Sequence, residues 1–153
     1  PHAHLPPMIL ERFLPYRLAV VAESVSRALA AVYAERFDLT RDEWRVLAQL
    51  AEVDEIKTTQ LGARTTLDKM QVSRAVTRLE RDGFIERQPD AADRRNLVLR
   101  ILPAGRALVR KIVPMAEARE QFLLEALSPD EQAVLDRALD KLLAQAKRLQ
   151  QHG

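Results

Sequence analysis

Leu67-Asp68-Lys69-Met70-Gln71-Val72-Ser73-Arg74-Ala75-Val76-Thr77-Arg78-Leu79-Glu80-Arg81-Asp82-Gly83 is the stretch on which the fold turns. Wound at a helical period, it gathers Val72, Ala75, Val76 and Leu79 on one narrow stripe and spreads Ser73, Arg74, Thr77, Arg78 and Arg81 over the opposite side. One face therefore seeks a core, and the other offers hydrogen bonds to a phosphate or a base edge. Gly83 stands where a left-handed residue ends such a helix.

Upstream, Thr58 or Thr59 is a natural cap for a short helix holding Leu61, and residues 65–68 read as a turn into the quoted stretch. Two helices joined by a tight turn, the second presenting polar groups, make a helix-turn-helix. Downstream, residues 84–88 and 97–101 alternate as two short strands around a basic turn at 89–96, which adds a wing.

The flanks are helical. Leu14, Leu18, Val21, Val25, Ala28, Leu29 and Val32 recur at helical spacing and predict a helix over 15–35, with Pro15 in its first turn or at a kink. Thr40 and Glu43 form a capping box for a helix carrying Trp44, Leu47 and Leu50, followed by an acidic connection at 51–56. Beyond Pro103 lie two long helices. The first carries Leu108, Ile112, Met115, Phe122 and Leu123 and should kink at Pro114; the second is capped by Ser128 with Glu131 and carries Val134, Leu135, Leu139, Leu142, Leu143 and Leu149. These stripes exceed what a small winged domain can cover.

The predicted fold class is thus mainly α with a small β-wing: a winged helix-turn-helix domain over 37–102, with an N-terminal helix (1–36) and C-terminal helices (103–153) forming an intertwined homodimer. A monomeric bundle packed on itself is the alternative. A chain of 153 residues buries about 70 % of its unfolded surface and needs no staples.

The composition excludes several chemistries. With no cysteine, the chain has no thiol nucleophile, thiolate metal site or disulfide switch. His2, His4 and His152 sit at the extreme ends, no Ser-His-Asp set or glycine-rich phosphate loop is visible, and only four glycines occur. No enzyme, metal or cofactor is expected. Neither a membrane span nor a signal peptide is apparent, so a cytoplasmic location is expected. The net charge of +2 hides an asymmetry: residues 57–111 hold 13 Lys and Arg against 6 Asp and Glu, while the remainder is net acidic. A basic centre bearing a two-faced helix is the electrostatic footprint of a nucleic-acid binder.

These residues resemble the MarR family of winged-helix transcriptional regulators along nearly the whole chain. The resemblance rests on Asp82-Gly83-Phe84-Ile85-Glu86-Arg87, on Asp93-Arg94-Arg95 before a Leu-rich strand, and on Asp68 with Val72-Ser73-Arg74; Leu39-Thr40, Glu43-Trp44-Arg45-Val46-Leu47 and Gly105-Arg106-Ala107-Leu108 add weaker support. It implies a homodimer that binds a pseudo-palindromic double-stranded DNA operator and represses until a small molecule releases it, often an aromatic carboxylate or another lipophilic anion.

By the same resemblance Ser73, Arg74 and Thr77, with Gln71 beside them, are major-groove readers. Arg74 is the foremost, since an Arg forked on guanine is worth about 1–3 kcal/mol of discrimination, with a phosphate clamp as its alternative role. Thr58, Thr59, Lys69 and Arg78 would contact the DNA backbone, although an ion pair from Arg78 to Asp82 is an ordinary helix-surface alternative. Arg95, oriented by Asp93 and accompanied by Arg94, would enter a narrow minor groove from the wing, a turn-stabilising Asp93–Arg95 pair without DNA contact being the alternative. Tyr16, Arg17 and Ser24 on the first helix and Trp44 on the second offer an aromatic wall and a cation for an effector carboxylate, with core packing of Trp44 and an ion pair from Arg17 across the dimer as the alternatives.

Two positions depart from the family pattern. Leu102-Pro103 replaces the usual Leu-Thr, with Pro acceptable at the first helical position. Met70 stands where small polar residues are common, and is expected to pack beneath the wing rather than meet a thymine methyl group. The other readings are a DNA-binding protein without an effector and a helical protein-interaction module.

Overall fold

A computed structural model describes residues 6–152 apart from Arg94. Their contacts divide the chain into two units, one ending at Ala116 and the other beginning at Glu117.

The first unit opens with helix α1 (Leu14–Ala30), carrying Pro15 in its first turn and running on as a π-helical turn over Ala31–Glu35. None of the α1 residues is buried; Val32 and Tyr33 of the π turn are. The ring of Tyr33 stacks on Trp44 with centroids 6.0 Å apart. Helix α2 (Arg41–Val53) starts with the expected capping box: Glu43 N–H donates to Thr40 Oγ1 at 3.1 Å, and Thr40 N–H to Glu43 Oε1 at 3.2 Å.

The acidic connection corrects the sequence reading. Its first part extends α2, Asp54 turns the chain at φ 69°, and Glu55–Lys57 form a strand, β1. The cap of helix α3 (Thr58–Thr65) also differs: Lys57 occupies that position with no side-chain cap, so Thr58 and Thr59 are its first two residues. Thr66, left-handed at φ 63°, makes the turn toward α4 (Lys69–Arg81). Gly83 follows α4 at φ 80°, the conformation a residue without Cβ adopts most easily.

Strands β2 (Ile85–Pro89) and β3 (Leu97–Ile101) form the wing hairpin. β3 is central, antiparallel to β2 on one side and to β1 on the other, where Ile56 faces Leu99. Leu47, Leu50, Leu61, Leu79, Ile85, Leu99 and Ile112 are wholly buried, and they bind α2, α3, α4, the sheet and α5 (Pro103–Leu124) into one core. Pro103 does take the first position of α5, and Pro114 lies within that helix without ending it. Gly105 is buried where a Cβ would collide with the Phe84 carbonyl oxygen, so the start of α5 lies directly against the chain between α4 and β2.

In the second unit, Ser128 and Glu131 form the expected capping box at the start of α6 (Pro129–His152). Gln132 Nε2 donates to the Leu124 and Leu127 carbonyls, tying the first turn of α6 to the last residue of α5 and the turn after it. No α6 residue is buried. Among the described residues no helix is long and apolar enough to cross a membrane.

Candidate nucleic-acid interface

Helix α4 is held from its core side. Val72, Ala75, Val76 and Leu79 are all buried, as the periodicity predicts. Its first turn is fixed by a third capping box, in which Gln71 N–H donates to Asp68 Oδ1 at 2.8 Å and Asp68 N–H to Gln71 Oε1 at 3.0 Å. The side chain expected to sit beside the base readers is therefore turned back onto the helix start. Sequence could have shown this, since Asp-x-x-Gln is a capping-box spacing.

On the outer face Ser73, Arg74 and Thr77 are exposed, together with Lys69. Arg78 is different. Its Nη2 donates to Asp38 Oδ2 at 2.8 Å and to the Asp38 carbonyl at 3.0 Å, and its Nη1 lies 3.4 Å from Oε2 of the buried Glu43. Its ion-pair partners lie 40 and 35 residues back along the chain, whereas Asp82 pairs with Arg81.

Thr58, Thr59, Lys69 and Ser73 come together on one groove of about 590 Å³ between α3, α4 and the wing. Arg87, to which the sequence reading gave no individual role, stands in the same wall. Its Nη2 is 3.2 Å from Glu80 Oε1, while its Nε is buried without a hydrogen-bond partner.

The wing is braced at base and tip. Asp90 accepts from Ala92 N–H at 3.0 Å and lies 3.3 Å from Lys57 Nζ, joining the wing to the start of α3. The Ala92 hydrogen bond above all, with the Lys57 charge in support, holds its carboxyl below the usual carboxylate value against a raising effect of desolvation. At the tip, Arg95 is extended into solvent, 93 % exposed, and Asp93 Oδ1 accepts from its backbone N–H at 3.1 Å and meets its Nε at 3.4 Å. The carboxylate thus contacts both the backbone and the side chain of the arginine. Arg94 lies outside the described residues, as do His2 and His4.

Met70 contradicts the expectation of packing: it is 63 % exposed. Of the effector candidates, Tyr16, Arg17 and Ser24 stand exposed on α1, and Trp44 is half-buried against Tyr33. One cavity of about 370 Å³ beside Trp44 is walled by Arg45, Ala48, Gln49, Glu52, Arg64, Thr65 and Thr66, all from α2, α3 and the turn after it. No group of His, Asp and Glu fit to hold a metal occurs among the described residues.

Known proteins share this arrangement. The family model described as the MarR family matches residues 39–97, from the residue before the α2 cap to the first residue of β3. An uncharacterized HTH-type transcriptional regulator of Bacillus cereus is 27 % identical over 118 residues, covering 76 % of this chain and 78 % of its own. The crystal structure of a probable transcriptional regulator from Pseudomonas aeruginosa is 30 % identical and superposes with a TM-score of 0.71, covering 85 % of this chain and 99 % of that one. Bordetella bronchiseptica BpsR, whose DNA binding is described as regulated by 6-hydroxynicotinic acid, shares the fold at a TM-score of 0.81 and 24 % identity, over 90 % of this chain and 97 % of its own. With a recognition helix, a braced wing and these relatives in agreement, the chain belongs to the MarR family of winged-helix transcriptional regulators.

Proposed function

We propose that this regulator is a homodimeric repressor that reads a pseudo-palindromic operator and is released by a small lipophilic anion, an aromatic carboxylate being the leading class. The observation that carries the reading is the exposed run Ser73, Arg74 and Thr77 on a helix whose opposite face is locked in the core. Helices expose hydrogen-bonding residues routinely, but here a groove with Thr58, Thr59 and Lys69 flanks the run and Arg95 projects from the adjoining wing.

In this reading Ser73, Arg74 and Thr77 meet base edges, and Thr58, Thr59 and Lys69 set register on phosphates. Arg95, held by Asp93 and joined by Arg94, enters the minor groove. Arg78, engaged by Asp38 and Glu43, holds the helix in place.

Residues 37–102 act as the DNA-binding domain, and the helices of 1–36 and 103–153 as the dimer interface. Exposed apolar stripes support this: Leu14, Leu18 and Val21 on α1, and Leu135, Leu139 and Leu142 on α6. Contiguous apolar surface of this extent marks an association face. Two-fold symmetry would set the recognition helices about 34 Å apart, one DNA turn.

The effector class follows BpsR, for which 6-hydroxynicotinic acid regulates DNA binding. Tyr16, Arg17, Ser24 and Trp44 remain the residues proposed for it. Such a ligand acts only by binding the DNA-incompetent arrangement more tightly; a coupling of about 1–3 kcal/mol changes operator affinity 5- to 150-fold.

Fluorescence anisotropy over a salt series tests the reading, comparing the duplex upstream of the protein's own gene with a random duplex. Binding to that duplex at least a hundred-fold tighter, with a two-half-site footprint and a dimer mass by light scattering, is the expected result. Equal affinity for the two duplexes would overturn it.

A further inference from the structure

The exposed face of α4 contains one side chain that cannot hydrogen-bond to a base as its neighbours can. Met70, Ser73, Arg74 and Thr77 stand at positions i, i+3, i+4 and i+7, so they form a single stripe along the helix, and all four are exposed. Met70 opens that stripe in the first turn, the part of a recognition helix that reaches base edges. It belongs neither to the buried core nor to the partly buried side chains packed against it. Its neighbour Gln71 is folded back into the Asp68 capping box. At the groove-facing start of α4 the available surface is therefore a flexible thioether chain.

We infer that Met70 is a specificity-determining residue that reads the C5-methyl group of a thymine in the major groove. This rests on the reading of α4 as the base-reading helix. Among the four bases only thymine places an apolar group on the major-groove edge, so an apolar side chain there has one natural counterpart. Methionine suits the contact because its unbranched chain adapts to a small target without a fixed rotamer. A protein partner is a poorer occupant. Its neighbours on the stripe, Ser73, Arg74 and Thr77, are polar, so Met70 presents one side chain's area rather than an apolar patch, in contrast to the long stripes on α1 and α6.

The test uses the full chain and a duplex selected by it from a randomised pool. Thymines in that duplex are replaced one position per half-site by deoxyuridine, which removes the methyl group and leaves every hydrogen bond intact. At one position the wild type should lose about four-fold in affinity per half-site, the effect of uncovering a single methyl group. Met70→Ala should bind thymine and deoxyuridine duplexes equally while keeping the base preferences that depend on Arg74. Equal losses for wild type and Met70→Ala, or no loss at any thymine, would overturn the inference alone. A wild type that selects no sequence from the pool would overturn the base-reading role of α4 and this inference with it.

Discussion

Arg78 Nη2 lies 2.8 Å from Asp38 Oδ2, which ties the last turn of the recognition helix to the junction between the first helical segment and α2. Asp38 has a positive φ of 54°, a strained backbone for a residue with a Cβ, and its carbonyl also accepts from Arg78. Behind it, Glu43 is 4 % exposed and divides its carboxylate between the α2 cap and Arg78. One guanidinium thus balances a buried charge and positions α4.

Arg78→Ala should therefore destabilise the protein by about 1–3 kcal/mol, because it leaves the Glu43 carboxylate buried with its cap but without its cation. Urea unfolding measures the loss, and adding Glu43→Gln should recover part of it by removing the uncompensated charge. In DNA binding, the salt slope should stay at the wild-type value for Arg78→Ala and fall by about 0.9 for Lys69→Ala, the contribution of one phosphate contact. A loss of stability below about 0.5 kcal/mol, typical of a plain surface position, would remove the positioning role.

Arg74 and Arg95 both project from the protein, but only Arg95 is held by a neighbouring carboxylate among the described residues. Arg74→Ala should abolish preference at the base pairs beneath the helix. Arg95→Ala should weaken binding with a smaller salt slope and alter preference only in A·T-rich flanks, where a narrow minor groove concentrates negative potential. A set of duplexes varied one base pair at a time separates the two patterns; equal, sequence-blind losses would contradict the division of labour.

The parts of this interface legible in sequence are those set by neighbours a few residues apart. The core stripe of α4, the capping boxes at Thr40 and Ser128 and the turn at Gly83 all follow from local spacing, and the structure bears them out. Apart from the Asp68–Gln71 capping box, whose spacing is local, what escaped was chiefly long-range. β1 is three residues long, too short to alternate, and exists because Ile56 pairs across to Leu99. Arg78 pairs with Asp38 rather than Asp82 because helix packing brings the α1–α2 junction to it, which no i, i+4 rule can foresee. Met70, expected to pack beneath the wing, is instead 63 % exposed.

Gly105 gives a test of the close approach between α5 and the chain after α4. In an ordinary helix interior, Gly→Ala stabilises by about 0.5–1 kcal/mol. At Gly105 the added Cβ would strike the Phe84 carbonyl and crowd the Ile101 side chain, so the sign should reverse. We expect Gly105→Ala to cost about 1–3 kcal/mol in urea unfolding, in the range of an overpacked core. An unchanged or raised midpoint would mean that the two segments separate readily.

The wing carries a pH dependence that follows from Asp90. Its carboxyl is held below the usual 3.8, chiefly by the Ala92 N–H and next by Lys57. A depressed carboxylate stabilises the folded state fully above its unfolded value, and that contribution is lost as pH falls through the lower, folded value. The wing should therefore be unaffected between pH 5 and 8 on the alkaline side of about 4, and loosen below it. Amide exchange at Ala92 reports this locally: protection should drop below about pH 4 in the wild type, whereas in Asp90→Ala it should be low throughout. Asp90→Asn keeps an acceptor for Ala92 but not the charge facing Lys57, so its protection should be intermediate and flat with pH. Protection in the wild type that persists unchanged to pH 2.5 would show that the carboxylate does not brace the hairpin.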